Sequence, residues 1–428
     1  KSFMKKQLND FGQYVDLPNP GLWAYFKRTE LGNTDDYRPP FWKGKSREEV
    51  LSEWQKVIDT LGVKEQYPSL YQFEMDMKSK VGPMSIQLPL KDRFESIDNY
   101  FTPRQSKPLT QESIAATCEF FGKARGLRLR SPQNTVENMR LSTNSGTPFF
   151  TKRRRVKDIS IASEITKDME VVIKGHKYKL AAILGWRGQE GGIQDDDVKQ
   201  RVIWMMPFSL NIKELQFYQP AIEAMQKKDL IPAYISMDRV DKEVTDLFDS
   251  KGADDDVVCT DFSKFDQHFN SDMQNAARQV LAYLGTNISD WLDNIFPIKF
   301  KLPLICSEHI IYVGDHGMGS GSGGTNFDEC MAHKALQFEA AQSRGQKLNP
   351  HSMAYGDDGI LTYPGIKVAD VIRTYTQHGQ EMNPDKQYVS KHDCVVLRRW
   401  HSTSYRKDGV MVGVYSTFRA LGRLLAQE

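Results

Sequence analysis

The spacing of apolar and polar positions divides the chain into short strands and amphipathic helices. A helix is predicted from about Ser46 to Leu61, opened by a capping box of Ser46 and Glu49. Residues 110–125 read as a second helix. Residues 141–158 are polar, carry Gly and Pro, and turn basic, so they are placed in loops. Val171–Leu184 alternates as a hairpin would, Gly185–Gly192 reads as a glycine-rich turn, and Lys199–Met206 as a strand. Past residue 250 the pattern sharpens. Val257, Val258 and Cys259 form an apolar strand running into Asp261. A helix follows over Ser271–Leu284, with Gly285 as its C-terminal cap. Gly317–Gly324 is a Gly/Ser loop feeding a helix over about Thr325–Ser343. Met353, Ala354 and Tyr355 lead into Gly356-Asp357-Asp358, and Ile360–Tyr363 lead out, which predicts a hairpin. A helix near Val368–His378, short strands at Gln387–Ser390 and Cys394–Trp400, and a further hairpin to Tyr415 complete the series. Residues 1–60 are mixed, aromatic and punctuated by Pro18, Pro20, Pro39 and Pro40, and read as an extended arm before the Ser46 helix.

Composition adds limits. A chain of 428 residues has room for two or three domains or subdomains. Its 39% hydrophobic and 11% aromatic content suits a soluble globular protein. No apolar run reaches the roughly 18 residues that a membrane span needs. The opening Lys1-Ser2-Phe3-Met4 shows no signal-peptide core and no initiator Met at position 1, so a fragment is expected. The net charge is only +2, but a balanced total can hide a basic channel. Lys152–Arg155 is a dense basic run, offset by acidic runs at 195–197 and 254–256. Cys118, Cys259, Cys306, Cys330 and Cys394 are widely spaced with no Cys-x-x-Cys, which favours reduced cytosolic thiols over a disulfide frame or zinc site.

The candidate chemistry sits in a few segments. Asp261 ends an apolar strand, where a structural acid gains little. Asp357 and Asp358 occupy the tip of an apolar hairpin, where charge costs free energy unless metals or bases neutralise it. Gly-Asp-Asp alone is weak, since chance supplies it in roughly one chain in ten of this length and tight turns favour both residue types. Two strands side by side would converge the acids, and two divalent ions bridging such acids serve in-line nucleotidyl transfer. Asp266 lies past the strand end and reads equally as an acid at a helix start. The 317–324 loop puts five glycines in eight residues, so its amides can approach phosphate or sugar closely. Alternation places Lys199 and Arg201 on one strand face, able to neutralise a triphosphate. Taken singly, these cations and Lys386 read as ordinary surface.

The order of these segments resembles that of the right-hand RNA-dependent RNA polymerases of RNA viruses over about residues 140–415. Asp261–Asp266 is similar to motif A, Ser320–Thr325 to motif B, Gly356–Asp358 to motif C and Lys386 to the motif D lysine. Val396-Leu397-Arg398-Arg399 resembles the motif E hairpin, Lys199 and Arg201 motif F, and Thr143-Asn144-Ser145-Gly146-Thr147-Pro148 the template-guiding motif G. The wording of the Asp261 and Ser320 segments is most similar to picobirnavirus polymerases, then to those of partitiviruses, both small double-stranded RNA viruses. The resemblance implies an α+β right hand. Residues 1–60 would be an arm bridging fingers and thumb, and 61–235 the fingers. The palm, an antiparallel sheet backed by helices, would span 236–400 with a fingers insertion near 275–315. Residues 401–428 would end the motif E hairpin and begin a largely missing thumb.

It also implies roles. Asp261 and Asp357 would hold Mg²⁺ (Mn²⁺ as an alternative) with Asp358 assisting, and Lys386 would protonate pyrophosphate. Lys199, Arg201, Asp266, Ser320, Gly321, Thr325 and Asn326 would serve the NTP. Thr143, Ser145, Gly146, Arg153, Arg154, Arg398 and Arg399 would contact template or product RNA. Capsid protein would be a partner, no membrane would be involved, and the enzyme would work in the virion interior and host cytoplasm. The chain departs from the family at Glu329, where many members carry an Asn that reads the ribose 2′-hydroxyl with the second motif A Asp. Asn326 follows Thr325 directly, so either residue is a candidate partner for Asp266. A reverse transcriptase, or a catalytically silent RNA-binding protein with a polymerase-like fold, remain the alternatives.

Overall fold

Val257–Thr260 is buried at all four positions, and that decides the architecture around it. A strand apolar on both faces must be covered on both. It lies inside a four-stranded antiparallel sheet, ordered Met353–Tyr355, Asp358–Leu361, Val257–Thr260, Tyr388–Ser390. On one face Val258 and Leu361 join the main core with the helices Ser271–Leu284 and Thr325–Gln342. On the other, Val257 and Cys259 pack with Val240, Val244 and Leu247 of the helix Met237–Ser250, and with Cys394 and Val396. The computed structural model describes residues 4–35 and 39–426. Residues 1–3, 36–38 and 427–428, parts of the expected arm and terminal segment, lie outside the described residues.

The helix Ser271–Leu284 follows the predicted bounds, with Met273, Ala276, Ala277, Val280, Leu281 and Leu284 on its buried face. The Asn270 side chain caps its start. Gly285 is its C-cap, as expected, and takes an extended conformation (φ −86°). The helix Thr325–Gln342 is buried on nearly every side, so its polar residues need partners. Lys334 Nζ donates to Ser352 O at 2.6 Å, and Gln337 Nε2 to Met353 O at 2.8 Å. Asp328 is ion-paired with buried Lys299 at 2.5 Å. This helix therefore grips the strand that leads into the Gly-Asp-Asp turn.

A second sheet of five strands runs Lys5–Gln7, Ile310–Tyr312, Leu304–Ile305, Ala182–Gln189, Lys199–Met205. It corrects two expectations. The hairpin placed at Val171–Leu184 is the pair Glu170–Ile173 and His176–Lys179, in a separate small sheet. The turn placed at Gly185–Gly192 is mostly strand, because Ala182–Gln189 runs straight through Gly185 and Gly188. A Cβ on Gly188 would sit 2.2 Å from Met84 O, so this glycine admits a crossing chain and makes no turn. Likewise the strand read as Cys394–Trp400 is two strands, Asp393–Val396 and Arg399–Ser402, broken by left-handed Leu397 and Arg398. The N-terminal arm contributes an edge strand, but it also holds the helix Pro20–Leu31, capped by Asn19. Farther on, Val50, Leu51 and Ile58 of the helix Arg47–Thr60 share a core with Phe418, Leu421 and Leu425 of the helix Thr417–Leu425, so the last described helix packs against the segment that follows the arm's first helix. The five cysteines are free thiols. Among the described residues no helix is long and apolar enough to cross a membrane.

Candidate active site

Gly359 pairs with Thr260 across the sheet, which brings the Gly356-Asp357-Asp358 turn beside Asp261. The backbone of Asp261 is bracketed by one side chain: its N–H donates to Gln387 Oε1 at 2.7 Å, and Gln387 Nε2 donates to Asp261 O at 2.9 Å. Neighbouring Lys386 is thereby held close. Burial raises the Asp261 pKa, and the charges of Lys386, Lys80 and Lys199 pull it back. Lys80 was not foreseen, since nothing in its local sequence marks it.

Gly356 takes a left-handed φ of 61°, as the tight turn requires. Its carbonyl lies 2.8 Å from His333 Nδ1, and burial pushes that imidazole down to about 4, so it is neutral and donates through Nδ1–H. Asp357 is open to solvent but low in a crowded cleft. Burial raises its pKa, and so do Asp266 and Asp261. Asp358 has a different neighbour: its Oδ2 accepts from Leu397 N–H at 2.7 Å. Burial, with Asp357 adding to it, pushes Asp358 up to about 7. Its bond helps hold the left-handed turn at Leu397 and Arg398, a conformation that costs energy for residues with a Cβ.

Asn326 and Glu329 face different neighbours. Asn326 Oδ1 accepts from Tyr234 Oη at 2.8 Å. The Glu329 carboxyl is hydrogen-bonded to Asp266, and burial together with Asp266 and Asp357 holds its pKa well above the usual range. Two carboxyl groups share a hydrogen bond only when one of them keeps a proton. Glu329 Oε2 is buried without a partner among the described residues. Lys199 and Arg201 are exposed on one face of their strand, opposite Gln189 and Arg187. The glycines of the 319–324 loop are close-packed: a Cβ on Gly321 would fall 1.8 Å from Trp204 O. Ser320 Oγ is 3.4 Å from Trp204 N, and Thr325 Oγ1 donates to Gly319 O at 3.0 Å.

The template-side residues divide. Thr143 and Arg154 are exposed. Ser145 and Gly146 are buried and shape their loop, through Ser145 N–H to Thr151 O at 2.7 Å and a left-handed Gly146. Arg153 does not face outward: Nη2 donates to Asn211 Oδ1 at 2.8 Å, Nη1 to Arg140 O at 3.2 Å, and the guanidinium lies over Phe208. Arg399 is also turned inward, in a bidentate pair with Asp241 at 2.8 and 3.0 Å. Each guanidinium is thus engaged by a buried protein partner, Asn211 or Asp241. Arg398 stays exposed beside Asp357.

Asp261 and Asp357, both exposed, differ from the buried acids. Glu214, Asp241, Glu339 and Asp328 each accept hydrogen bonds from neighbours. Among the described residues no neighbouring side chain donates to the carboxylate of Asp261 or Asp357. Crowded oxygen donors without protein partners fit a hard divalent cation. A second group, Glu243, Asp246 and His351, has ligand atoms within 4.8 Å of one another at the other end of the Met353–Tyr355 strand. There Glu243 is already occupied by His351 and by Arg239, the latter at 2.8 Å.

This geometry agrees with what the chain is similar to. The family model described as viral RNA-dependent RNA polymerase matches residues 102–406. A protein described as a potential RNA-dependent RNA polymerase, from Human picobirnavirus (strain Human/Thailand/Hy005102/-), is 51% identical over 98% of this chain and 80% of its own length. The crystal structure of the RNA-dependent RNA polymerase of a human picobirnavirus superposes with a TM-score of 0.96, at 50% identity over 99% of this chain and 82% of that one. Its insertion-loop deletion mutant gives 0.95, covering 99% of this chain and 85% of that one at the same identity. The chain belongs to the viral RNA-dependent RNA polymerases, enzymes of RNA-templated nucleotidyl transfer.

Proposed function

We infer that Asp261 and Asp357 hold the two divalent ions, Mg²⁺ with Mn²⁺ as an alternative. The observation that carries this is their convergence across the Val257–Thr260 and Asp358–Leu361 pairing with carboxylates left unbonded by the protein. Bound there, the ions would lower the pKa of the primer 3′-hydroxyl and stabilise the charge on the leaving pyrophosphate. Asp358 supports the site from behind by fixing the 393–402 hairpin. Lys199 and Arg201 neutralise the triphosphate from the exposed strand face, joined by Lys80. Lys386, tethered beside Asp261, delivers a proton to pyrophosphate. Asp266 with Glu329 reads the ribose. Ser320, Gly321 and Thr325 shape the wall under the base, and Asn326 supports it through Tyr234. Thr143, Arg154 and Arg398 contact RNA phosphates.

In this reading residues 61–235 are fingers, 236–400 the palm with a fingers insertion near 275–315, and 401–428 the start of a thumb joined to the arm of 1–60. Capsid protein as a partner, and the virion interior and host cytoplasm as the place of work, rest on the resemblance alone. Co-sedimentation with capsid protein tests the partner. The site assignment is tested by extension of a short primed RNA with Mg²⁺, offering NTPs and dNTPs in parallel. NTP-selective extension that disappears in Asp357→Ala, with RNA binding kept, is the expected result. Robust extension by that variant would sink the metal assignment.

A further inference from the structure

The helix Phe208–Lys227 carries Asn211 and Glu214 on one face, three residues apart. Both are buried, Glu214 completely, among residues such as Phe208, Leu210 and Phe217. An amide and a carboxylate in such a place are costly unless every polar atom is matched. Their partners come from two loops far apart in sequence. Asn211 Nδ2 donates to Gly321 O at 3.1 Å and to Glu214 Oε1 at 3.0 Å. Glu214 Oε2 accepts from Ser322 Oγ at 2.6 Å, and Oε1 from Gly323 N–H at 3.2 Å. On its other side Asn211 Oδ1 accepts from Arg153 Nη2 at 2.8 Å. Arg153 N–H in turn donates to Thr143 O at 3.0 Å, inside the loop that opens with Thr143.

We propose that Asn211 and Glu214 are positioning residues, a clasp that fixes the 319–324 loop and that Arg153 ties to the 143–155 loop, so that the two loops hold their places together. The proposal rests on reading one loop as nucleotide-facing and the other as template-facing. The clasp needs an uncharged central amide: Asn211 accepts from the cation on one side and donates toward the anion on the other. A leucine at 211 and at 214 would bury as well and bond nothing, so packing alone does not explain the pair. The glycines of the 319–324 loop contribute closeness, since side chains there would collide with Trp204 O and the Tyr218 ring. The loop is thus pressed onto the strand end and held by the clasp.

The test uses hydrogen exchange on the full chain, which needs no activity. In Arg153→Met the amides of 321–324 should exchange about tenfold faster, the worth of about one net hydrogen bond. Coupling is reciprocal, so Ser322→Ala should speed exchange across 143–153. If Arg153→Met does not fold, Ser322→Ala alone decides. Unchanged exchange in the distant loop overturns the clasp. Kinetics add a second readout. On the primed RNA, Arg153→Met and Asn211→Ala should each raise KM for the incoming NTP about tenfold with kcat little changed, and the double variant should match the singles. Multiplying effects would overturn the coupling. So would a fall of about one in the salt slope of RNA affinity for Arg153→Met, the mark of a phosphate contact. Loss of the polymerase reading would show separately, as extension that survives Asp357→Ala.

Discussion

Replacing Asp358 with Asn isolates the cost of assembling the acidic cleft. In the folded chain Asp358 is pushed from 3.8 up to about 7, chiefly by burial and then by Asp357. Below about pH 4 the folded and unfolded chains both hold this proton. Between about 4 and 7 only the folded chain does, so stability falls as pH rises through that window, and the deficit is complete above about 7. The shift, about 7 minus 3.8 or roughly three units at about 1.36 kcal/mol each, sets a ceiling of about 4 kcal/mol. Asn is neutral at every pH, and its carbonyl still accepts from Leu397 N–H. Asp358→Asn should therefore match the parent near pH 4 and exceed it by a few kcal/mol at pH 8, with chelator present. Urea unfolding followed by tryptophan fluorescence reads this as a midpoint higher by about 1 M at pH 8. Adding Mg²⁺ at pH 8 should stabilise the parent more than it does at pH 5, because ions bind the deprotonated acids. Equal midpoint differences at both pH values, or a variant weaker than the parent at pH 8, would refute the reasoning.

Four further outcomes follow from single residues. Glu329→Gln keeps a donor toward Asp266 and should retain preference for NTP over dNTP, whereas Glu329→Ala should lower that ratio about tenfold, read by paired single-nucleotide incorporation. Arg399→Ala leaves Asp241 with only His401 and should cost about 3 kcal/mol of stability without changing the salt slope of RNA binding. Arg398→Ala, one residue earlier, should leave stability intact and reduce that slope by about one. Gly321→Ala drives a Cβ to 1.8 Å from Trp204 O, and the displaced loop should slow single-turnover extension about a hundredfold while circular dichroism stays native.

Much of the centre was legible because its signals are local. Three consecutive apolar residues before Asp261, a helix-spaced set from Met273 to Leu284, and Gly356 between two apolar strands each specify their element within a few residues. The errors have a common physical origin. Gly188 reads as a turn residue until Met84, a hundred residues earlier, crosses over it. Arg153 and Arg399 read as free cations because their partners lie 58 and 158 residues away. A lone charge in sequence has no sign of burial; only the tertiary partner shows whether it faces solvent or fills a gap. Lys80 is the converse case, an ordinary surface lysine by sequence that the fold brings to Asp261.

That distinction also locates function. Nearly every buried acid here is answered by a donor from a distant segment: Asp328 by Lys299 and Tyr218, Asp241 by Arg399, Glu74 by Thr417 N–H. Such pairs are complete, and removing either member leaves a costly remainder. Around the Gly-Asp-Asp turn the donors instead serve backbone: His333 reaches Gly356 O and Gln387 brackets Asp261, and of Asp261, Asp357 and Asp358 it is Asp358 that, among the described residues, accepts through its carboxylate. The scaffold thus fixes where Asp261 and Asp357 stand while no side chain donates to their carboxylates among the described residues; Lys386, Lys80 and Lys199 act on Asp261 only through their charge. With the ions held there as proposed, a substitution that supplied either acid with its own lysine partner should stabilise the fold and abolish primed RNA extension.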